Sequence, residues 1–173
     1  MGKYYINSSN ASIAVNSGFT LILFFLITFF NPLSAQQKVI AVQKFISQAE
    51  QVEIATELET LAFGVQPTVY VNEGTFVPKG NAPTTVAYIS ASDIMKIQEG
   101  HESLGSVKLL IVKFKDQQEL MAFKLRPADV SNLPLLAYVF FSLEFESTPT
   151  EVPGVQGFEQ SEIVFLYESA RPF

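Results

Sequence analysis

No cysteine and no tryptophan occur among the 173 residues of this chain, and histidine occurs once. Without cysteine there is no disulfide, no thiolate metal centre, no iron–sulfur cluster and no thiol nucleophile. A lone His101 cannot supply the H-x-x-x-H or H-E-x-x-H spacing of a zinc site, so any metal would have to be held by carboxylates. The nine glycines are scattered, with no G-x-S-x-G elbow, no Walker A run and no G-x-G-x-x-G fingerprint. A nucleotide-dependent enzyme or a hydrolase of familiar type is therefore not expected. Positive charge is scarce too. Eleven Lys and Arg face seventeen Asp and Glu, a net charge of -6, which argues against nucleic-acid binding through a basic surface.

Charge of either sign is missing altogether between Lys3 and Lys38. Inside that span, residues 18–30 read GFTLILFFLITFF. This apolar core is short for a membrane span, which needs roughly 20 residues to cross about 30 Å of hydrocarbon, but it suits the roughly 7–15 residues of a secretory signal. Lys3 provides a thin positive start, Asn31-Pro32 breaks the helix, and Leu33-Ser34-Ala35 places a small residue before the cut. The segment 1–35 is expected to be a signal peptide cleaved after Ala35, leaving 36–173 as a single exported globular domain. The alternative is an uncleaved N-terminal anchor at 11–33. Removal of Lys3 takes the net charge from -6 to -7. An exported chain without disulfides must be stable from its core alone, and such chains are commoner in bacterial envelopes than in eukaryotic secretion. A periplasmic or secreted bacterial protein is the expectation.

From Val42 to Ala62 apolar residues recur at steps of three and four, through Phe45, Ile46, Val52, Leu58 and Leu61, with an acidic face opposite. That spacing predicts one amphipathic helix lying on a sheet and ending at Gly64. Pro67–Val71 and Thr75–Val77, separated by Asn72-Glu73-Gly74, read as a hairpin. Thr85–Ser90 is a strand, and Ser92 or Asp93 caps a short helix ending near Gly100. Val107–Lys115 is apolar on both alternating faces and is the expected centre of the sheet. A short helix is expected over Gln117–Leu125, an irregular turn over Asp129–Pro134 and a long half-buried strand over Leu135–Glu146. A linker over Ser147–Ser161 precedes a last strand at Ile163–Tyr167. The fold class is α+β, or α/β: a small mixed sheet covered by one amphipathic helix. Strand centres near Ile89, Ile111, Val139 and Phe165 lie 22, 28 and 26 residues apart, so a short solenoid-like stack of strands and helices is the alternative.

His101-Glu102-Ser103 brings three triad residue types together, yet neighbours in sequence point apart and triads are assembled from distant segments. His101 is expected to be a solvated loop residue. Asp93, Glu99, Glu102 and Asp116 surround the strand ends, and no pair has distinguishing context. Phe140, Phe141, Phe145, Phe165 and Tyr167 fall in strand patterns, where core packing is the default; a sugar-binding platform would use exposed Trp or Tyr. No catalytic, cofactor-binding or metal-binding residue is singled out, and no cofactor is expected.

Two functions remain. The first is a non-catalytic binding or interaction module, its partner an envelope protein or polymer rather than nucleic acid, with no membrane span in the mature chain. The second is an exported hydrolase using carboxylates around Asp93 and Glu102, with aromatic strand residues as a substrate floor. The cleavage expectation is checked by intact mass. The exported protein should begin at Gln36, whereas retention of a peptide containing Phe24-Phe25 would establish the anchor.

Overall fold

Residues 38–49, 52–147 and 153–170 are described in the computed structural model. The expected signal or anchor segment lies outside them. In chain order, strand β1 (Val39–Ala41) leads into helices α1 (Val42–Gln48) and α2 (Val52–Phe63), followed by β2 (Thr68–Asn72), β3 (Thr75–Lys79) and β4 (Val86–Ser90). Two 3-10 helices, Ala91–Glu99 and Glu102–Leu104, lead to β5 (Leu109–Phe114). Next come α3 (Gln117–Ala122), β6 (Lys124–Leu125), a 3-10 turn at Pro127–Val130, β7 (Tyr138–Leu143), β8 (Gly154–Val155) and β9 (Val164–Ser169).

Seven strands form one mixed sheet in the order β1-β9-β7-β5-β4-β2-β3, and β6 pairs with β8 in a separate two-stranded piece. Every neighbouring pair of the large sheet is parallel except the β2–β3 hairpin. The hairpin turn requires positive φ at both central positions, and Glu73 (49°) and Gly74 (75°) supply it. From β4 onward chain order equals spatial order, so each turn of chain adds one parallel strand. The even spacing of strand centres is the footprint of that progression. Helices on the opposite face and the returning strand β1 make the result a layered α+β domain rather than an open stack.

Parallel strands buried on both faces must be apolar at consecutive positions, and β5 is, with Leu109, Leu110, Ile111 and Val112 all buried. One face carries Ile89, Val112, Phe141 and Phe165 against Ile97, Leu104, Leu125 and Phe158 of the connections. The other carries Val86, Leu109, Ile111, Phe140 and Leu166 beneath Val42, Leu58 and Leu61 of α1 and α2. Glu57 fastens α2 to this face. Its carboxylate accepts from Lys108 Nζ at 2.7 Å and from the Tyr138 hydroxyl at 3.4 Å. Burial, reinforced by the Glu57 charge, holds the Tyr138 phenol above its ordinary pKa. The neutral phenol is thus favoured by folding: this stability is complete below about pH 10, the unfolded value, and is lost as pH rises through the raised one.

Several sequence expectations change here. The helix expected over 42–62 is two helices, because the chain turns extended at Ala49; Val52, placed on the inward stripe, is 77% exposed. The strand expected over Leu135–Glu146 is confined to Tyr138–Leu143, and it is buried on both faces as far as Phe141, because the helix layer covers Tyr138 and Phe140. The helix at Gln117 stops at Ala122, and Lys124–Leu125 pairs with Gly154–Val155 from within the expected linker. The 129–134 turn holds Asp129, one of the few buried polar residues. Its carboxylate accepts from Gln98 Nε2 at 2.7 Å and from the Arg126 backbone N–H at 2.8 Å, tying two 3-10 segments together.

Asp129→Ala leaves those two donors without an acceptor, each worth about 1–3 kcal/mol when buried. Chemical denaturation should therefore show a loss of about 2–5 kcal/mol, with Asp129→Asn, which keeps one acceptor oxygen, losing less. A loss below about 0.5 kcal/mol, the range of ordinary surface changes, would show that the tie is idle.

Candidate functional site

Alternation along the parallel strands stacks side chains into rungs on the helix-covered face. The registers align Val86, Leu109, Tyr138 and Val164 in the first rung, then Tyr70, Tyr88, Ile111, Phe140 and Leu166, then Ser90, Lys113, Ser142 and Glu168. The first two rungs are packed beneath helices over most of their width. The third is polar and only half-buried, and towards β2 the second rung is uncovered too: Tyr70 is 42% exposed and Tyr88 is partly exposed. A cleft of about 610 Å³ opens there, lined by both tyrosines, Asn72, Ser90, Asp93 and Lys113, with Lys79 and Lys115 among the other contributors. It lies at the carboxyl ends of the strands, where open α/β sheets place their ligands.

The two tyrosine rings have centroids 5.6 Å apart and are tilted by 43°. Their positions follow from period-two alternation. Val69 and Val71 point into one core and put Tyr70 on the opposite face, and Ala87 and Ile89 do the same for Tyr88. Lys113 reaches across the third rung to an ion pair with Glu144, just past the end of β7. The hydrogen bond that the Lys113 ammonium donates to Glu144, opposed by slight desolvation and aided by nearby Tyr88, raises its pKa above the ordinary lysine value and keeps it charged. The Ser90 hydroxyl donates to Asp93 Oδ2 at 2.9 Å and lies 3.0 Å from the Ser92 hydroxyl, giving a preformed polar chain along one wall.

The acids considered from the sequence are dispersed over separate tasks. Asp93 lines the cleft and is held by Ser90. Glu99 pairs with Lys96 at 2.7 Å. Asp116 caps α3 by accepting from the Glu119 N–H at 2.8 Å, and Glu119 returns the bond by accepting from the Lys115 N–H at 2.9 Å. Glu102 opens a 3-10 turn and is not among the residues lining the cleft. Among the described residues, no group of three or more His, Asp and Glu is placed to hold a metal ion. Nor is any helix among them long and apolar enough to cross a membrane.

His101 is exposed, as a loop residue should be, yet it is engaged. Its Nδ1 accepts from the Ser103 backbone N–H at 3.2 Å, and its ring stacks on Phe76 of β3 with centroids 4.7 Å apart and planes 6° from parallel. The backbone of Ser103, not its hydroxyl, meets the imidazole. The aromatic floor expected from Phe140, Phe141 and Phe165 is absent from the surface, since these rings are at most 5% exposed. Tyr70 and Tyr88 take that place. The sequence reading passed over them because both sit in runs that look like ordinary strands.

Comparison with known proteins finds no matching family model, no similar curated sequence and no similar solved structure. Function is therefore argued from this cleft alone.

His101→Ala removes a cap and a ring stack together, at about 0.5–2 and about 0.5–1.5 kcal/mol. Thermal and urea unfolding should register a loss of about 1–2 kcal/mol, larger than a free surface residue would give. No change in stability would mean that the stack and cap are idle in solution.

Proposed function

We propose that this chain is an exported, non-catalytic binding module of the bacterial envelope, and that it engages an envelope component through the Tyr70–Tyr88 cleft. The observation that carries the reading is the exposure of an aromatic pair beside a charged lysine at the edge of a sheet whose central strands are buried on both faces. Tyrosine presents an apolar ring with a polar tip and is favoured where one surface must be dry in the complex and wet without it. The size fits as well, since ligand pockets span roughly 300–1,000 Å³.

Export is supported by the uncharged span between Lys3 and Lys38 and the small residue at Ala35. A hydrolase reading needs two carboxylates flanking one bond; of the two acids named from the sequence, Asp93 lines the cleft and Glu102 does not, and the other acid there, Glu73, sits in the β2–β3 turn. The sole histidine is occupied with Phe76 and Ser103. Binding without chemistry is the function these side chains favour.

The test is retention. Wild-type protein and a Tyr70→Ala/Tyr88→Ala variant, expressed from the full gene, are followed through washing of the native envelope fraction. Wild type should be retained and the variant released, the variant still melting cooperatively although Tyr88 gives up packing against the helix-covered core. Equal retention of the two, or free release of wild type, would overturn the proposal.

A further inference from the structure

We infer that the cleft recognises the carboxylate-bearing sugar units of an acidic polysaccharide. This rests on the binding-module reading above and specifies its ligand. The cleft combines three features that such a ligand needs together. The faces of Tyr70 and Tyr88, tilted at 43°, offer two apolar planes against which the C–H faces of pyranose rings can stack. The chain of Ser90, Ser92 and Asp93, with Asn72 nearby, offers donors and acceptors suited to ring hydroxyls. Lys79, Lys113 and Lys115 offer cationic points on flexible stems, in a chain whose overall charge is -6.

Local charge departs from that of the whole molecule, which is acidic everywhere else on balance. Three lysines line the cleft against Glu73 and Asp93, and the partner of Lys113, Glu144, is 45% exposed and can swing into solvent when a ligand carboxylate arrives. Lys79 and Lys115 are exposed and form no ion pair among the described residues. A neutral saccharide would use the rings and leave these cations idle. An acidic saccharide uses both.

An acidic peptide has the same charge but fits the backbone less well. Extended peptides gain affinity by adding a strand to a free sheet edge, and β4 and β5 beneath the cleft are interior strands paired on both sides. At the one nearby edge, β3, Pro78 removes a backbone donor; it lies opposite Val69, a position between the hydrogen-bonded pairs of the hairpin, so the missing amide is an outward one. A sugar chain needs no main-chain ladder.

Isothermal titration of the protein purified after expression from the full gene, with oligogalacturonate, tests the inference, with neutral dextran and poly-glutamate as comparison probes. Oligogalacturonate should bind, weakening as salt screens the lysines, and dextran and poly-glutamate should bind much more weakly. Tyr70→Ala, at the more exposed ring, and Lys115→Gln should each reduce affinity, by about tenfold for the ring, with nearly unchanged melting curves. Lys79→Gln, on an exposed edge, provides a second charge variant that cannot disturb the core. Equal binding of dextran would remove the carboxylate from recognition, and preferential binding of poly-glutamate would make the ligand a peptide; either overturns the inference. Absence of oligogalacturonate binding in a protein still retained by envelopes through Tyr70 and Tyr88 sinks the ligand assignment alone. Loss of that retention difference sinks the binding-module reading itself.

Discussion

A parallel sheet has to be covered on both faces, and almost everything else in this protein follows from meeting that requirement without a disulfide. Six of the seven strands run parallel, so consecutive residues of the central strands face two different apolar layers. Phe114, Phe141 and Phe165 fill one layer together with Phe123 and Phe158 of the connecting segments, and these five rings meet mostly edge to face. Such aromatic contacts add to the area they bury, which matters in a chain with no covalent cross-link.

The second layer is thinner and decides where the ligand face lies. Helices α1 and α2 have seven and twelve residues, so α2 extends only about 18 Å at 1.5 Å per residue. A helix of that length covers a strip across the sheet and leaves the rest to solvent. It is laid over the amino-terminal ends of the strands, where Glu57 holds it to Lys108 and Tyr138. The carboxyl ends are left bare. The residues there are polar for that reason, and Ser90, Lys113, Ser142 and Glu168 form a single rung.

Charged side chains are mostly committed to keeping this frame in place. Glu119 and Asp116 close the start of α3, Asp129 ties two 3-10 segments, and Glu57 secures α2. Two exposed cations that form no ion pair among the described residues, Lys79 and Lys115, lie beside the tyrosine pair. A surface whose free cations and exposed aromatic rings coincide is a recognition surface in physical terms, because desolvation of the rings and attraction of the charges act on the same ligand.

Local pattern was enough to mark the elements with their own periodicity: the hairpin around Glu73-Gly74, the central strand within Val107–Lys115, the last strand near Phe165 and the short helix before Gly100, although that helix is 3-10, begins at Ala91 and so encloses Ser92 and Asp93, the expected caps. It also excluded thiol chemistry, since that depends only on which residues are present. Elements defined by distant partners were not legible. Gly154–Val155 becomes a strand only because Lys124–Leu125 lies beside it, and Tyr138 and Phe140 are buried only because α2 crosses above them. The cleft belongs to the second kind. Tyr70, Tyr88 and Lys113 lie on three different strands, and nothing in their own neighbourhoods distinguishes an exposed ring from a core ring. Register brings them into adjacent rungs, and the reach of one short helix leaves them uncovered; both are set by tertiary packing, which a one-dimensional pattern of apolar residues does not contain.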